Sequence, residues 1–518
     1  MVVRRMPVTS HRLRTGLAAR ALVAAGFVVA GAGLFLVGSS LRVGGRPAVS
    51  ANVPVDPSAA DQSDFTANNS PSVAKNPRDG RVIAVANRID QQQFGCALHV
   101  SHDGGRSWVA VVIPFPAGEE APPRCFAPDV TFGPRGTMYL VFVTLHGGGN
   151  VPHAAWLVTS GDSGRTLSTP RRLLGPLAFQ VEVVADPSRP GRLYLGWLQG
   201  AATGLFSFTA DGNPILVSRS DDGGMTWNAP VEVAPPARQR IVAPSMAVSR
   251  DGSLFLSYLD LGRDALDYRG LDVGQGGPPF DGTWQLIVAR SRDGGATWRE
   301  TVADPTVVPI ERFVVFLPPT PALAVDVDNV YVAFQDGRLG DPDVWLWASH
   351  DGGRTFASAV RVNDTVRRDG TWQYLPALAV ADNGRVDVMY YDRRDDRQDL
   401  LNEVSLQSSF DHGRTFGHRI VLSDHAFDSR VSPSAFRQMF DLGSRVGLLA
   451  LPSGSIGVWT DTRAARPETG KQDVATVRVT LPQTNEWRNP LRWGGVALGL
   501  VAGTVLVAGL VVGRHNPS

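Results

Sequence analysis

Lysine is nearly missing from this chain: only Lys75 and Lys471 appear among its 50 Lys and Arg residues. Any cationic site must therefore be built from guanidinium groups, which suit bidentate contact with carboxylates. The arginine bias also fits a GC-rich, bacterial source. Charge of one sign is lacking as well. The formal net charge is +1, and no basic face or stripe of the kind that binds nucleic acid is present. Cysteine is limited to Cys96 and Cys125. They form one disulfide if the chain is exported and remain two buried thiols otherwise. The sequence has no HExxH, CxxC or GxxxxGK[ST] motif, and its ten histidines are scattered, so neither a metal nor a cofactor is expected. Asp326 and Asp328 share a turn that reads as an ordinary polar turn rather than a calcium loop.

What is present is a large globular chain. It has 518 residues, 43% hydrophobic and 19% charged, which excludes disordered and collagen-like classes. With 55 Gly and 37 Pro, it fits many short strands joined by tight turns.

Two uncharged runs of 21 residues lie at the ends, ALVAAGFVVAGAGLFLVGSSL between Arg20 and Arg42 and WGGVALGLVAGTVLVAGLVVG between Arg492 and Arg514. Each matches the ~20 residues a helix needs to cross the bilayer core. Arg4, Arg5, Arg12, Arg14 and Arg20 precede the first run with no acid among them. The positive-inside rule then keeps the N-terminus in the cytoplasm and the long middle outside. The expected order is a cytoplasmic N-terminus (1–15), a transmembrane helix (16–41), a linker (42–66), the main domain (67–482), a linker (483–492), a transmembrane helix (493–513) and a cytoplasmic tail (514–518). A signal peptide cleaved near Val49-Ser50-Ala51 is the rival, though the apolar run is long for a signal core. Gly495, Gly499 and Gly503 form a small-residue helix face that admits a second helix, allowing a helix-mediated oligomer.

In the middle, one octapeptide pattern, S-x-D-x-G-x-[TS]-[WF], recurs from Ser101, Ser220, Ser291, Ser349 and Ser409, with a weaker copy from Ser160 ending in Leu167. Successive copies start 59, 60, 71, 58 and 60 residues apart. Its chemistry is that of a turn. The Asp and Ser/Thr side chains bond nearby backbone, the Gly takes a conformation other residues resist, and the closing aromatic is free to pack between sheets. The aspartates are therefore read as structural. Two strand-like stretches precede each copy, for example APDVTF and TMYLVFV, or LPALAV and RVDVMYY. A further unit at 446–463 and 473–481 lacks the octapeptide. The stretch ahead of Ser70 is placed to supply its missing fourth strand and close a ring.

These octapeptides resemble the Asp box, or BNR repeat, of sialidase-like β-propellers. The resemblance covers about four-fifths of the chain as fold. It implies an all-β propeller in which each box joins the third and fourth strands of a blade, opposite the ligand face. Seven blades of ~60 residues fill 67–482 with little left over; six blades with a trailing sheet are the alternative, since sialidases have six.

Several residues mark the opposite face. Asp336-Gly-Arg338, Asp392-Arg-Arg394 and Asp461-Thr-Arg463 each follow a second strand, and Asp260 with Arg263 and Asn87 with Arg88 look like degenerate copies. Arg238, Arg240, Arg312, Arg430 and Arg437 enter from the blade connections. Sialidases grip a substrate carboxylate with three arginines, which the resemblance would map to Arg338, Arg394 and Arg463. The other reading makes each Asp–Arg pair a structural ion pair, because it repeats with the fold. Residues that break the repeat carry more. Where other blades have Ser72, Ser245, Ala322 or Ala377, Asp129 and Glu182 stand on adjacent blades, as an acid/base pair or as the lining of a solvated channel. Tyr374 opens the sixth unit, where sialidases place a nucleophilic tyrosine; the alternative is an aromatic capping the channel rim. The sequence departs from the family in lacking an Arg-Ile-Pro motif, and it offers only Glu311 to activate Tyr374.

The expected function is recognition of an anionic glycan or a cell-surface protein by a membrane-anchored extracytoplasmic propeller. The alternatives are an exo-α-sialidase-type glycoside hydrolase and a structural ectodomain of an envelope complex.

Overall fold

The computed structural model describes residues 28–30, 32, 46–56, 66–90, 94–148, 150–200, 213–264, 280–310, 319–432, 442–465, 469–481, 497, 498 and 500. Contacts divide the chain into two units, Ala48–Thr480 and a second made of Met1–Pro47 with Leu481–Ser518. In the second unit, 28–30, 32, 497, 498 and 500 are helical. Among the described residues no helix is long and apolar enough to cross a membrane. The segments 16–41 and 493–513 lie almost wholly outside them.

The main unit is a seven-bladed, all-β propeller. Seven antiparallel sheets follow one another along the chain, with innermost strands Ala67–Lys75, Cys125–Phe132, Ala178–Ala185, Ile241–Val248, Ala322–Asp326, Gln373–Val380 and Gly447–Leu451. We number the blades I to VII in that order. In blades I to VI the four strands pair in sequence order from the innermost outward. Blade VII takes its outer strands from the other end of the domain. Ala48–Val49 and Val53–Pro54 pair with Asp473–Thr480, through Ala48↔Thr480 and Val53↔Thr476. The stretch ahead of Ser70 thus closes the ring, from within the segment read as a linker. Val55, Ile83, Val85, Ile456, Val458 and Val474 form the apolar cluster at that closure.

The second strands, such as Met138–His146 with MYLVFVTLH, are buried on both faces. They lie between the inner and third strands and between neighbouring blades, so they read as continuous apolar runs.

The six octapeptides form the turns between third and fourth strands. In each, the serine hydroxyl donates to the aspartate at 2.7–2.8 Å and accepts the amide of the glycine four residues on at 2.7–2.9 Å. The Ser/Thr hydroxyl four residues beyond the aspartate donates to its other oxygen at 2.5–2.7 Å. The hydroxyl of Thr297 leads in holding Asp293 down to about 2. These carboxylates are committed to the turns and hold no site. Trp108, Trp227, Trp298, Phe356 and Phe416 pack onto the apolar clusters between blades.

A second repeated device was not visible in the sequence. Ser70, Ala127, Gln180, Ala243 and Leu375 have φ between 48° and 61°. Each sits at a bulge in its innermost strand, where the register to the second strand slips. Pro71, Pro128, Pro244 and Pro376 follow four of them, and a bulge is where a strand tolerates a missing N–H.

Candidate functional site

The bulges interrupt five of the inner strands, and the residues at and just after them line a central pocket of about 300 Å³. All seven blades contribute to it. Ser72, Ser245, Ala322 and Ala377 face it together with Asp129, Glu182 and Arg445, so the two acids that break the repeat do come together. Asp129 accepts the Ser72 hydroxyl at 2.6 Å and the Val183 amide at 2.9 Å. Glu182 accepts the Met246 amide at 2.8 Å. Each acid thus also fastens its blade to the next. Burial, and then the neighbouring Asp129 carboxylate, push Glu182 up to about 8. Two adjacent carboxyls with one kept protonated near neutrality are a recognised acid–base arrangement.

Arg445, which lines this pocket together with Arg88, is a cation that the sequence reading missed. Its guanidinium lies 3.7 Å from Asp129 and donates to the Ser70 carbonyl at 3.1 Å and to the Pro128 carbonyl. It stands just before the last innermost strand, in the one unit without an octapeptide, and no repeat pointed to it.

The three repeated arginines do not converge on a common point. Each bonds first to its own aspartate, with Nε to carboxylate distances of 2.8, 2.7 and 2.8 Å for Arg338–Asp336, Arg394–Asp392 and Arg463–Asp461. Each then reaches an acid of the preceding blade: Asp304, Asp364 and Asp424 respectively. Asp336, Asp392 and Asp461 are buried, and burial raises Asp336 above the ordinary carboxylate range against the pull of Arg338. Arg338 also covers the rings of Trp345 and Trp347. Blade IV makes a variant of this clamp, in which Arg238, not Arg263, binds Asp260 at 2.7 Å and Glu300 at 2.9 Å. Blade I uses Arg88 with Asp90 at 2.6 Å. Arg430 pairs with Asp428, and Arg240 donates to the Gly262 carbonyl. Arg312, Arg437 and Glu311 lie outside the described residues.

Tyr374 is only 3% exposed. Its hydroxyl donates to Asn402 Oδ1 at 2.6 Å, and Arg393 lies over its ring. Burial raises its phenol above the ordinary value, with Arg393 pulling the other way. Arg393 also reaches Asn402, Asp399 and Ser429. Tyr374 borders a separate cavity of about 10 Å³ and does not line the central pocket with Asp129 and Glu182.

Cys96 and Cys125 are joined as a disulfide with Cα atoms 5.8 Å apart, tying the third strand of blade I to the first of blade II. Among the described residues one group of three has metal-ligand donors close together, Glu119, His146 and His153. Scattered in sequence, these histidines gave no motif.

No protein-family model matches this chain, and no curated protein is similar to it. Among solved structures, it is similar to the Hadza microbial sialidase Hz136, with 15% identity over 78% of this chain and 75% of that one and a TM-score of 0.41. It is similar to the phage phi92 endosialidase, with 10% identity over 84% and 70% and a TM-score of 0.44. It is also similar to an α-L-arabinanase of Penicillium chrysogenum, with 16% identity over 72% and 97% and a TM-score of 0.41. Likeness at this level carries nothing about activity.

Proposed function

We propose that this chain is a membrane-anchored, extracytoplasmic propeller of the Asp-box, sialidase-like class. It binds an anionic glycan or a cell-surface protein at the mouth of its central pocket and does not cleave it. The observation that carries this reading is the commitment of Arg338, Arg394 and Arg463 to acids on their own and preceding blades. A sialidase needs such arginines free for a substrate carboxylate and its tyrosine exposed to an anomeric carbon. Here the tyrosine is buried and bonded to an amide. Recognition then passes to the pocket, where Arg445 supplies positive charge and Glu182 a polar carboxyl beside it. The apolar end segments and a disulfide, which persists in oxidising compartments, support the extracytoplasmic placement.

The test uses the full-length protein in mild detergent, on a glycan array and with a fluorogenic sialoside. Binding without turnover is expected, and Arg445→Ala should weaken it about tenfold, as loss of one charge-assisted contact does. Turnover that Tyr374→Phe abolishes would overturn the reading.

The raised Glu182 beside Asp129 favours a second reading, glycoside hydrolysis at the pocket. Its signature would be turnover of a glycoside that survives Tyr374→Phe and is lost in Glu182→Gln.

A further inference from the structure

Second strands end in an aspartate in five blades, at Asp90, Asp260, Asp336, Asp392 and Asp461. Blade II breaks this pattern with His146. The hairpin that follows brings back His153 near the start of the third strand, Val151–Ser160. The connection entering blade II lays Glu119 against both rings. His146 Nε2 lies 2.7 Å from Glu119 Oε2, and His153 Nδ1 lies 3.3 Å from Glu119 Oε1. The two imidazoles stack with centroids 3.6 Å apart and planes 14° from parallel.

We infer that Glu119, His146 and His153 form a binding site for a divalent transition metal, with zinc the ion that best matches two imidazoles and a carboxylate. Three features of the cluster point there. The donor atoms all lie within 4.8 Å of one another, and the side chains must close in by about an ångström to reach the ~2.0–2.2 Å bonds of one zinc ion. His153 Nδ1 is buried and makes no hydrogen bond, with the Glu119 carboxylate 3.3 Å away; a bound metal would take up its lone pair. The Glu119 side chain is only 7% exposed, so its carboxylate is held inward.

The surroundings brace the two segments that carry the donors. Arg124 bonds Glu120, the Gly147 carbonyl at 2.7 Å and Asn150 at 2.8 Å, tying the entering connection to the hairpin. Cys125, directly after Arg124, is anchored to Cys96 in blade I. The histidine side chains keep 26% and 34% exposure, so solvent reaches the cluster and a fourth position is open to water or a ligand oxygen. Three protein ligands with an open position are the arrangement of reactive zinc centres; closed structural sites take four.

The full-length protein, carrying no histidine tag and stripped with chelator, would be titrated with Zn²⁺ by calorimetry and with Co²⁺ by visible absorption. One equivalent should bind with micromolar or tighter affinity, raise the melting temperature and give the d–d bands of a low-coordinate Co²⁺ ion. Glu119→Gln, His146→Asn and His153→Asn should each weaken Zn²⁺ binding by about 10- to 100-fold or more, while the metal-free variants keep the parent's far-UV circular dichroism. If a variant fails to fold, the parent titration decides alone. Failure of the parent to bind one equivalent, or binding that survives all three substitutions, would overturn the inference.

Discussion

Glu182 shows how a single side chain can carry two demands. Its Oε2 holds the Met246 amide of the next blade, while the pocket and Asp129 resist its ionisation. Its folded-state value of about 8 stands above the ~4.3 of an unfolded glutamate. The folded chain therefore holds a proton that the unfolded chain gives up between those limits, so stability falls as pH rises from ~4 to ~8. Glu182→Gln keeps an acceptor for Met246 and removes the charge. It should leave the denaturation midpoint nearly unchanged at pH 5 and stabilise the protein by about 2 kcal/mol at pH 9, after allowance for partial solvation. A pH series of denaturant melts on both proteins reads this directly, and parallel curves would refute it. Glu182 was legible beforehand because it broke a repeat. Arg445 was not, because it lies where the repeat itself is missing, and one arginine among many gives no periodic signal.

At the level of the element, the loop after the second strand of blades V, VI and VII acts as a clamp to the preceding blade. Arg338 joins buried Asp336 of blade V to Asp304 of blade IV, and Asp304 also accepts Trp347 Nε1 at 2.8 Å. Removing the guanidinium leaves a buried carboxylate unpaired, which costs more than the pair contributes. Arg338→Met should lower stability by about 3 kcal/mol in chemical denaturation. Adding Asp336→Asn should recover most of that loss, and a double variant as unstable as the single would contradict the clamp. The Asp–x–Arg spacing was plain in the sequence, as was the choice between an anion site and an ion pair. What decided it, the acids at 304, 364 and 424, lies 30 to 40 residues upstream in the preceding blades or the connections that leave them. Pairing at that separation follows from blade packing and leaves no local pattern. The bulges were hidden for a related reason. Their positive-φ residues include Ala127, Gln180, Ala243 and Leu375, where a reader looks for glycine. The prolines beside them were visible, but a proline in a strand-like run does not say which neighbour turns over.

For the whole molecule, the decisive interaction is the pairing of residues 48–54 with the final strand. It covers an edge of Asp473–Thr480 that would otherwise present unpaired amides and carbonyls. Asn52 adds side-chain bonds to the Leu422 carbonyl at 2.8 Å and to Arg463 at 2.9 Å, so this segment also fastens blade VI to blade VII. A chain of residues 46–482 should melt cooperatively as a monomer. One of residues 57–482 should lose Val55 from its cluster along with both strands. It should melt several degrees lower and associate, as seen by light scattering. Equal melting of the two truncations would show that the ring does not depend on this closure. The six octapeptides marked six blades and left the last unit open between a seventh blade and a trailing sheet; the pairing of residues 48–54 with Asp473–Thr480 makes it a blade.

The closure also sets a timetable. The partners Ala48 and Thr480 are among the first and last residues of the domain to be made. At a synthesis rate of roughly 5–20 residues per second, the early segment waits on the order of half a minute or more before its mate exists. Through that interval six sheets can assemble while the ring stays open. The waiting piece is kept to two strands of two residues each, too short to recruit a wrong neighbour while the ribosome finishes its work.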